Sequence, residues 1–167
     1  PVRLNELIKN FEKFLLRLIR EDVELRTVCP ERELIIMADS GQIEQVLMNL
    51  VTNARDAIEG VGSIIISTAI AEMDEVFVKL HGFGAAGGYA LITVTDSGKG
   101  MDKKTSERIF EPFFTTKEMG KGTGLGLAIV YGLIRQHDGY INVYSEPGKG
   151  TTFRIYMPLQ NQEAGSP

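Results

Sequence analysis

Three groups of residues have types and spacings suited to chemistry. The first is the run Gly120-Lys121-Gly122-Thr123-Gly124-Leu125-Gly126-Leu127-Ala128, which places glycine at every second position and then enters a helical pattern of Leu127, Val130, Tyr131 and Ile134. Glycine lets the backbone take φ > 0 and approach a ligand closely. A helix start beyond it supplies unpaired N–H groups and the positive end of a dipole, so the two together form a phosphate cradle. Taken alone, a surface loop explains the run as well. It is not a Walker A loop, because no Gly-Lys-Ser/Thr closes it, and not a dinucleotide-binding turn, because no clean strand leads into it.

The second group is Asn49 and Asn53, four residues apart, with Asp56 extending the same edge. At helical spacing both amides share one face. Beside an otherwise apolar stripe they suit oxygen ligation of Mg²⁺, which prefers hard donors and keeps waters and phosphate oxygens. A solvated helix face is the alternative. The third is Asp96-Ser97-Gly98-Lys99-Gly100-Met101, at the end of an apolar strand pattern. A carboxylate there, with glycines allowing close backbone approach, can accept a hydrogen bond from an exocyclic amine such as adenine's; an ordinary turn is the competing reading. Next comes Arg108-Ile109-Phe110-Glu111-Pro112-Phe113-Phe114-Thr115-Thr116-Lys117. Its phenylalanines fit a core, a partner-docking patch or the hinge of a lid.

The elements that must position these groups follow from periodicity. Leu4, Leu7, Ile8, Phe11, Phe14, Leu15, Leu18 and Ile19 predict an amphipathic helix over residues 4–20. Val23, Leu25 and Val28 predict a strand, and residues 34–37 another. Asp39-Ser40-Gly41-Gln42 is a helix-start signal, followed by the stripe Ile43, Val46, Leu47, Leu50, Val51, Ala54 and Ala57, which stops at Gly60. Strands are expected over residues 63–70, 75–80 and 89–95, with residues 81–88 as a hairpin excursion. A short helix over 103–110, a glycine-bearing loop and a helix after Gly124 follow. Strands over 140–144 and 151–157, joined by Pro147-Gly148-Lys149-Gly150, close the pattern. Helices and strands mix without regular alternation, which predicts an α+β class with a mostly antiparallel sheet and helices on one face.

Composition narrows the function. The chain has 167 residues, 43% of them hydrophobic and 24% charged, which suits one globular domain over residues 1–159 and a short tail or linker stub over 160–167. A net charge of -4 and a pI of about 5.3 speak against nucleic acid as the main ligand, which needs a basic face. No apolar run approaches the ~20 residues of a membrane helix. The single cysteine, Cys29, excludes an intrachain disulfide and a cysteine metal cluster.

With these residues in view, the chain resembles a known family. Asn49…Asn53, Asp96-x-Gly98-x-Gly100, Phe110-Glu111-Pro112-Phe113, Gly122-x-Gly124-Leu125-Gly126-Leu127 and Gly148-x-Gly150-Thr151-x-Phe153 occur in one order. They are similar to the N, G1, F, G2 and G3 boxes of the sensor histidine kinase ATP-binding domain. That family's superfamily also holds type II topoisomerases, heat-shock chaperone ATPases and mismatch-repair ATPases. The resemblance implies a two-layer α/β sandwich of the Bergerat type with a mobile ATP lid over residues 113–121. It implies ATP and Mg²⁺ as cofactors, with Asn53 as the Mg²⁺ ligand and Asn49 beside it near the phosphates. Asp96 would read the adenine amine and Gly98 and Gly100 would flank the base. Gly122, Gly124 and Gly126 would wrap the phosphates, and Thr151 would sit near the adenine. Asp56, Met101, Thr116, Thr123, Leu125 and Leu127 belong to the same implied nucleotide-binding set.

Two departures from the superfamily pattern shape the expected chemistry. Hydrolytic members carry a Glu four residues before the Mg²⁺-binding Asn, whereas this chain has Asn49, an amide that takes no proton at neutral pH. That favours phosphoryl transfer over hydrolysis. Many histidine kinases also carry a Lys three residues after that Asn; here Asp56 stands there, preceded by Arg55. Phosphate charge then falls to Lys117 or Lys121.

The phosphoacceptor expected of such a kinase is a histidine in a His-Glu-x-x-x-Pro context. His81 and His137 are the only histidines and neither has it; His137 fits the C-terminal end of a helix. The expected partners are therefore an upstream dimerisation and phosphoacceptor domain of the parent protein, a homodimer, and a response regulator further on. The expected location of the domain is cytoplasmic. A clamp-type hydrolytic ATPase and a nucleotide-binding pseudokinase are the competing functions.

Overall fold

The computed structural model describes residues 1–81, 86–115 and 124–160. A short strand β1 (Val2–Arg3) leads into helix α1 (Leu4–Leu16), followed by β2 (Val23–Val28) and β3 (Ile35–Ile36). Helix α2 (Ser40–Ala57) starts where its sequence signal says, with the Asp39 carboxylate accepting from the Gln42 N–H at 3.1 Å. Then come β4 (Gly62–Met73), α3 (Glu75–His81), β5 (Gly87–Asp96), α4 (Lys103–Ser106), α5 (Gly126–Gln136), β6 (Tyr140–Ser145) and β7 (Thr151–Pro158).

Five strands form one mixed sheet in the order β2-β4-β5-β7-β6, and β1 pairs with β3 in a separate ribbon. Only β2 and β4 run parallel within the five; the other three pairings are antiparallel. Alternate residues of each strand face the helices. Ile64 and Ile66 of β4, Ile92 and Val94 of β5, and Phe153 and Ile155 of β7 pack with Leu4 and Ile8 of α1, Leu47 and Leu50 of α2, and Val130 and Ile134 of α5 in one core. Burying each such side chain is worth about 1.5–3 kcal/mol. The expected α+β class and mostly antiparallel sheet are both present, with α1, α2 and α5 packed on one face of it; the expectation that all helices share that face fails at α3.

One element differs in kind. The alternation Val76, Val78, Leu80 predicts a strand over residues 75–80, yet α3 is a helix. Asp74 explains it: its carboxylate accepts from the Phe77 N–H at 2.7 Å and its carbonyl from the Val78 N–H at 3.1 Å, which starts a helical turn. Phe77 then meets Tyr156 with ring centroids 6.0 Å apart. Tyr156 alternates with core residues Ile155 and Met157, so α3 covers the sheet face opposite the main core. The hairpin excursion expected over 81–88 falls partly on residues 82–85, outside the described residues.

Two helices are also shorter than their periodicity implies. The first stops at Leu16 rather than residue 20, and the Leu18 carbonyl beyond it accepts from Arg55 Nη1 at 2.9 Å. The helix expected over 103–110 is regular only through Ser106. Beyond it the chain turns so that Phe110 packs against Tyr131 and Phe153, at centroid distances of 5.4 and 6.3 Å.

Candidate functional site

Asp96 ends the central strand β5 and its side chain is buried, with 5% of the residue exposed. The carboxylate accepts from the Gly98 N–H at 2.8 Å and from the backbone N–H of Thr151, its register partner on β7. Burial pushes its pKa above the ordinary 3.8, and these two N–H groups pull it back part of the way. A carboxylate has about four acceptor positions, so two remain for a ligand's donors.

The loop after Asp96 is pressed between α2 and the β6–β7 turn. A Cβ on Gly98 would lie 2.6 Å from the Ala57 carbonyl, and the Lys99 N–H donates to that same carbonyl at 2.9 Å. Ala57 lies one turn beyond Asn53 on α2, so this contact fixes the amide-bearing helix against the Asp96 loop. Gly100 has φ 69° and would drive a Cβ into the Glu146 carbonyl; Gly150 has φ 81° and would drive one into the carbonyl of Asp96. Only glycine fits either place. The Gly148 N–H donates to the Lys99 carbonyl at 2.6 Å, and the Met101 N–H to Ser145 Oγ at 2.8 Å.

At the other end, Asn49 Nδ2 donates to the Gly126 carbonyl at 3.4 Å, which joins α2 to the start of α5. Asn49 and Asn53 are both half-buried on α2. Helix α5 has Leu125 at its N-cap with no side-chain cap hydrogen bond, and no atom of the described residues lies within 4 Å of a Cβ on Gly126. A helix start can present backbone N–H groups to an anion. Gly124 has φ 72° and packs on the Phe113 backbone, whose N–H donates to the Gly124 carbonyl at 2.8 Å. Phe113 itself has φ 68°.

Contacts thus bring Asn49 to Gly126 at one end, and Asp96, Gly98, Gly100, Met101 and Thr151 together at the other. Asn53 lies on α2 between Asn49 and Ala57, and Gly124 lies two residues before Gly126. Leu125 and Leu127 flank the α5 start, Leu127 packing on the core. Asp56 pairs with Arg55 at 3.1 Å, and Arg55 also binds the Leu18 carbonyl. Arg55 is therefore engaged in holding the segment after α1 to α2. Thr116, Lys117, Lys121, Gly122 and Thr123, and most of the lid expected over 113–121, lie outside the described residues. His137 caps α5, with Nδ1 at 2.8 Å from the Leu133 carbonyl and Nε2 accepting from the Asp39 N–H at 3.3 Å.

Sequence reasoning missed Ser145 and the Ala57 carbonyl. Ser145 was legible in part, as the polar end of an apolar alternation directly before the Pro147–Gly150 turn. A backbone carbonyl has no signature in side-chain types. Among the described residues no group of three His, Cys, Asp or Glu is placed to hold a metal ion. A single amide oxygen at Asn53 suits Mg²⁺ that is carried mainly by phosphates and water, since that ion seldom takes an all-protein cage. No helix of the described residues is long and apolar enough to cross a membrane.

Comparison with known proteins identifies the family. Residues 38–161 match the family described as histidine kinase-, DNA gyrase B- and HSP90-like ATPase. The sensor kinase CckA of Brucella abortus is 44% identical over 161 residues, covering 96% of this chain and 17% of its own length. The sensor histidine kinase ZraS of Salmonella typhi is 39% identical, covering 95% of this chain and 31% of its own. The chain therefore spans less than a third of the length of either relative. Among solved structures, full-length ShkA in complex with AMPPNP superposes with a TM-score of 0.75 at 27% identity, over 95% of this chain and 30% of that one. The catalytic domain of the histidine kinase ThkA superposes at 0.69 with 31% identity, over 94% of this chain and 93% of that one.

Proposed function

Because the chain belongs to the family of histidine kinase-, DNA gyrase B- and HSP90-like ATPases, we propose that it is the ATP-binding catalytic domain of a sensor histidine kinase. It presents Mg·ATP to a histidine on a separate dimerisation domain of the parent protein. The acceptor's ring nitrogen forms a bond to the γ-phosphorus as the bond to the β–γ bridging oxygen breaks, and ADP leaves. Catalysis of this kind is largely positioning and charge neutralisation.

The observation that carries this reading is the joining of three elements. Ala57 ties α2 to the Asp96 loop, and Asn49 ties the same helix to the α5 start. One nucleotide lying along α2 then meets a buried acceptor at its base and a helix N-terminus at its phosphates. In this reading Asp96 accepts from the adenine amine, Gly98 and Gly100 flank the ring, and Gly124 and Gly126 give the phosphates backbone N–H groups. Asn53 holds Mg²⁺, which offsets phosphate charge, and on sequence grounds Lys117 or Lys121 adds to that. Asn49 stands where a hydrolytic enzyme needs a base, so water is not activated there.

The parent is proposed to be a homodimer whose phosphohistidine passes its phosphoryl group to a response regulator, with this domain on the cytoplasmic side. Mixing the chain with its upstream helical domain and γ-labelled ATP should yield acid-labile, base-stable label on that domain. Release of labelled inorganic phosphate at an equal rate without the partner would point to a hydrolytic ATPase instead.

A further inference from the structure

The row of residues across the end of the sheet is Asp96 on β5, Thr151 on β7 and Ser145 on β6, each the register partner of the next. Ser145 Oγ has three hydrogen-bonding neighbours among the described residues. The Met101 N–H donates to it at 2.8 Å, the Gly150 carbonyl lies 3.0 Å away, and Thr151 Oγ1 lies 2.8 Å away. A serine hydroxyl has one proton and two lone pairs. A carbonyl only accepts, so the Ser145 proton satisfies Gly150. One lone pair takes the Met101 N–H. The other is left for Thr151, whose hydroxyl must then be the donor in that pair. Turning the pair around would cost the bond to the Gly150 carbonyl without gaining another.

We infer that Ser145 fixes the polarity of the Thr151 hydroxyl and is thereby a specificity-determining residue of the base pocket. With its proton committed to Ser145, Thr151 has only acceptor lone pairs to offer a ligand. It stands directly across from Asp96, and both residues are only 5% exposed. Two acceptors side by side favour a purine carrying an amine at position 6 and disfavour one carrying a carbonyl, because a carbonyl there finds no donor. The edge of adenine offers an amine at this position and that of guanine a carbonyl. Ser145 acts through Thr151 and through the Met101 and Gly150 backbone; it is a positioning residue and does not itself touch the base. The inference rests on the proposal that Asp96 reads the 6-amine of adenine.

The test is calorimetric titration of the chain with ATP and with inosine triphosphate, which carries a carbonyl in place of the 6-amine and a proton on the neighbouring N1. Ser145→Ala frees the Thr151 proton to turn toward the ligand and supply the missing donor to a 6-carbonyl. The ATP-over-ITP preference should fall about tenfold, the worth of one hydrogen bond. Ser145→Thr, which keeps a hydroxyl, should restore it. If Ser145→Ala weakens both nucleotides by the same factor, Ser145 is merely structural and the inference is overturned. Should that variant not fold, Thr151→Val decides the matter: an acceptor-only hydroxyl meets the 6-amine of ATP and leaves the 6-carbonyl of ITP without a donor, so ATP should weaken more than ITP. Equal losses for both would show a proton free to turn, contrary to the inference. Failure of the underlying reading looks different: wild-type chain, or Asp96→Asn against it, would show no difference between the two nucleotides.

Discussion

The two ends of the proposed nucleotide site are built in opposite ways. At the base end the Asp96 loop and the 146–150 turn are interlocked by short hydrogen bonds, from Gly148 to Lys99 at 2.6 Å and from Met101 to Ser145 at 2.8 Å. Gly98, Gly100 and Gly150 there have no room for a side chain. At the phosphate end Asn49 reaches the α5 start across 3.4 Å, and among the described residues nothing stands within 4 Å of a Cβ on Gly126. Glycine thus serves two purposes in one site. Where backbone presses on backbone, it is demanded by the fold; where no described atom stands near, the proposed reading has it kept clear for a ligand. A base is recognised by fixed acceptors, which need rigid support, whereas phosphates need backbone N–H groups approached without obstruction.

Substitutions should separate these two purposes. The largest effect is expected for Gly150→Ala, which combines a positive φ with a Cβ directed into the Asp96 carbonyl. Denaturant melts should show a loss of about 3 kcal/mol or more, and an unchanged midpoint would refute the interlocked base end. Asp96→Asn comes next. It should weaken ATP by roughly a hundredfold, about 2–3 kcal/mol, because a charged acceptor is lost, and titration calorimetry reads this directly.

The same residue sets a pH dependence whose sign follows from its raised pKa. Burial disfavours the ionised form, so the empty domain gains stability as pH falls through the raised pKa toward the ordinary 3.8. In the proposed reading nucleotide binding needs the carboxylate, so ATP affinity should be full above that raised pKa and decline as pH drops through it. The Asp96→Asn chain should lack this decline. An identical decline in both would assign it to another group.

Gly126→Ala should have the smallest effect on the fold. Its Cβ meets no atom of the described residues and alanine suits a helix better, so stability should stay level or rise by about 0.5–1 kcal/mol. ATP should nonetheless bind less tightly, since the methyl group enters the space kept for phosphate. Stability lost in step with Gly150→Ala would erase the distinction between the two ends.

How much of this was legible beforehand varied with the physics. The apolar stripes of α1, α2 and α5 and the alternation in β5 and β7 were readable because burial on one face imposes a period on side-chain types. The 75–80 segment was misread because Val76, Val78 and Leu80 alternate, while the deciding contacts are local bonds from Asp74 to the next turn. The glycines of the site stood out, but their reasons did not. Gly98 answers to the Ala57 carbonyl, 41 residues earlier in the chain, and Gly100 to the Glu146 carbonyl, 46 residues later.

By itself, the sequence determined the class of fold, the family and the residue types offered to a nucleotide, since hydrophobic period and side-chain chemistry are carried locally along the chain. The tertiary structure alone decided that α2 meets the Asp96 loop at Ala57, that Arg55 is spent on the segment after α1, and that Ser145 completes the row beginning at Asp96. Those outcomes rest on backbone carbonyls and N–H groups, which every residue carries alike, and so only the folded path of the chain assigns them partners.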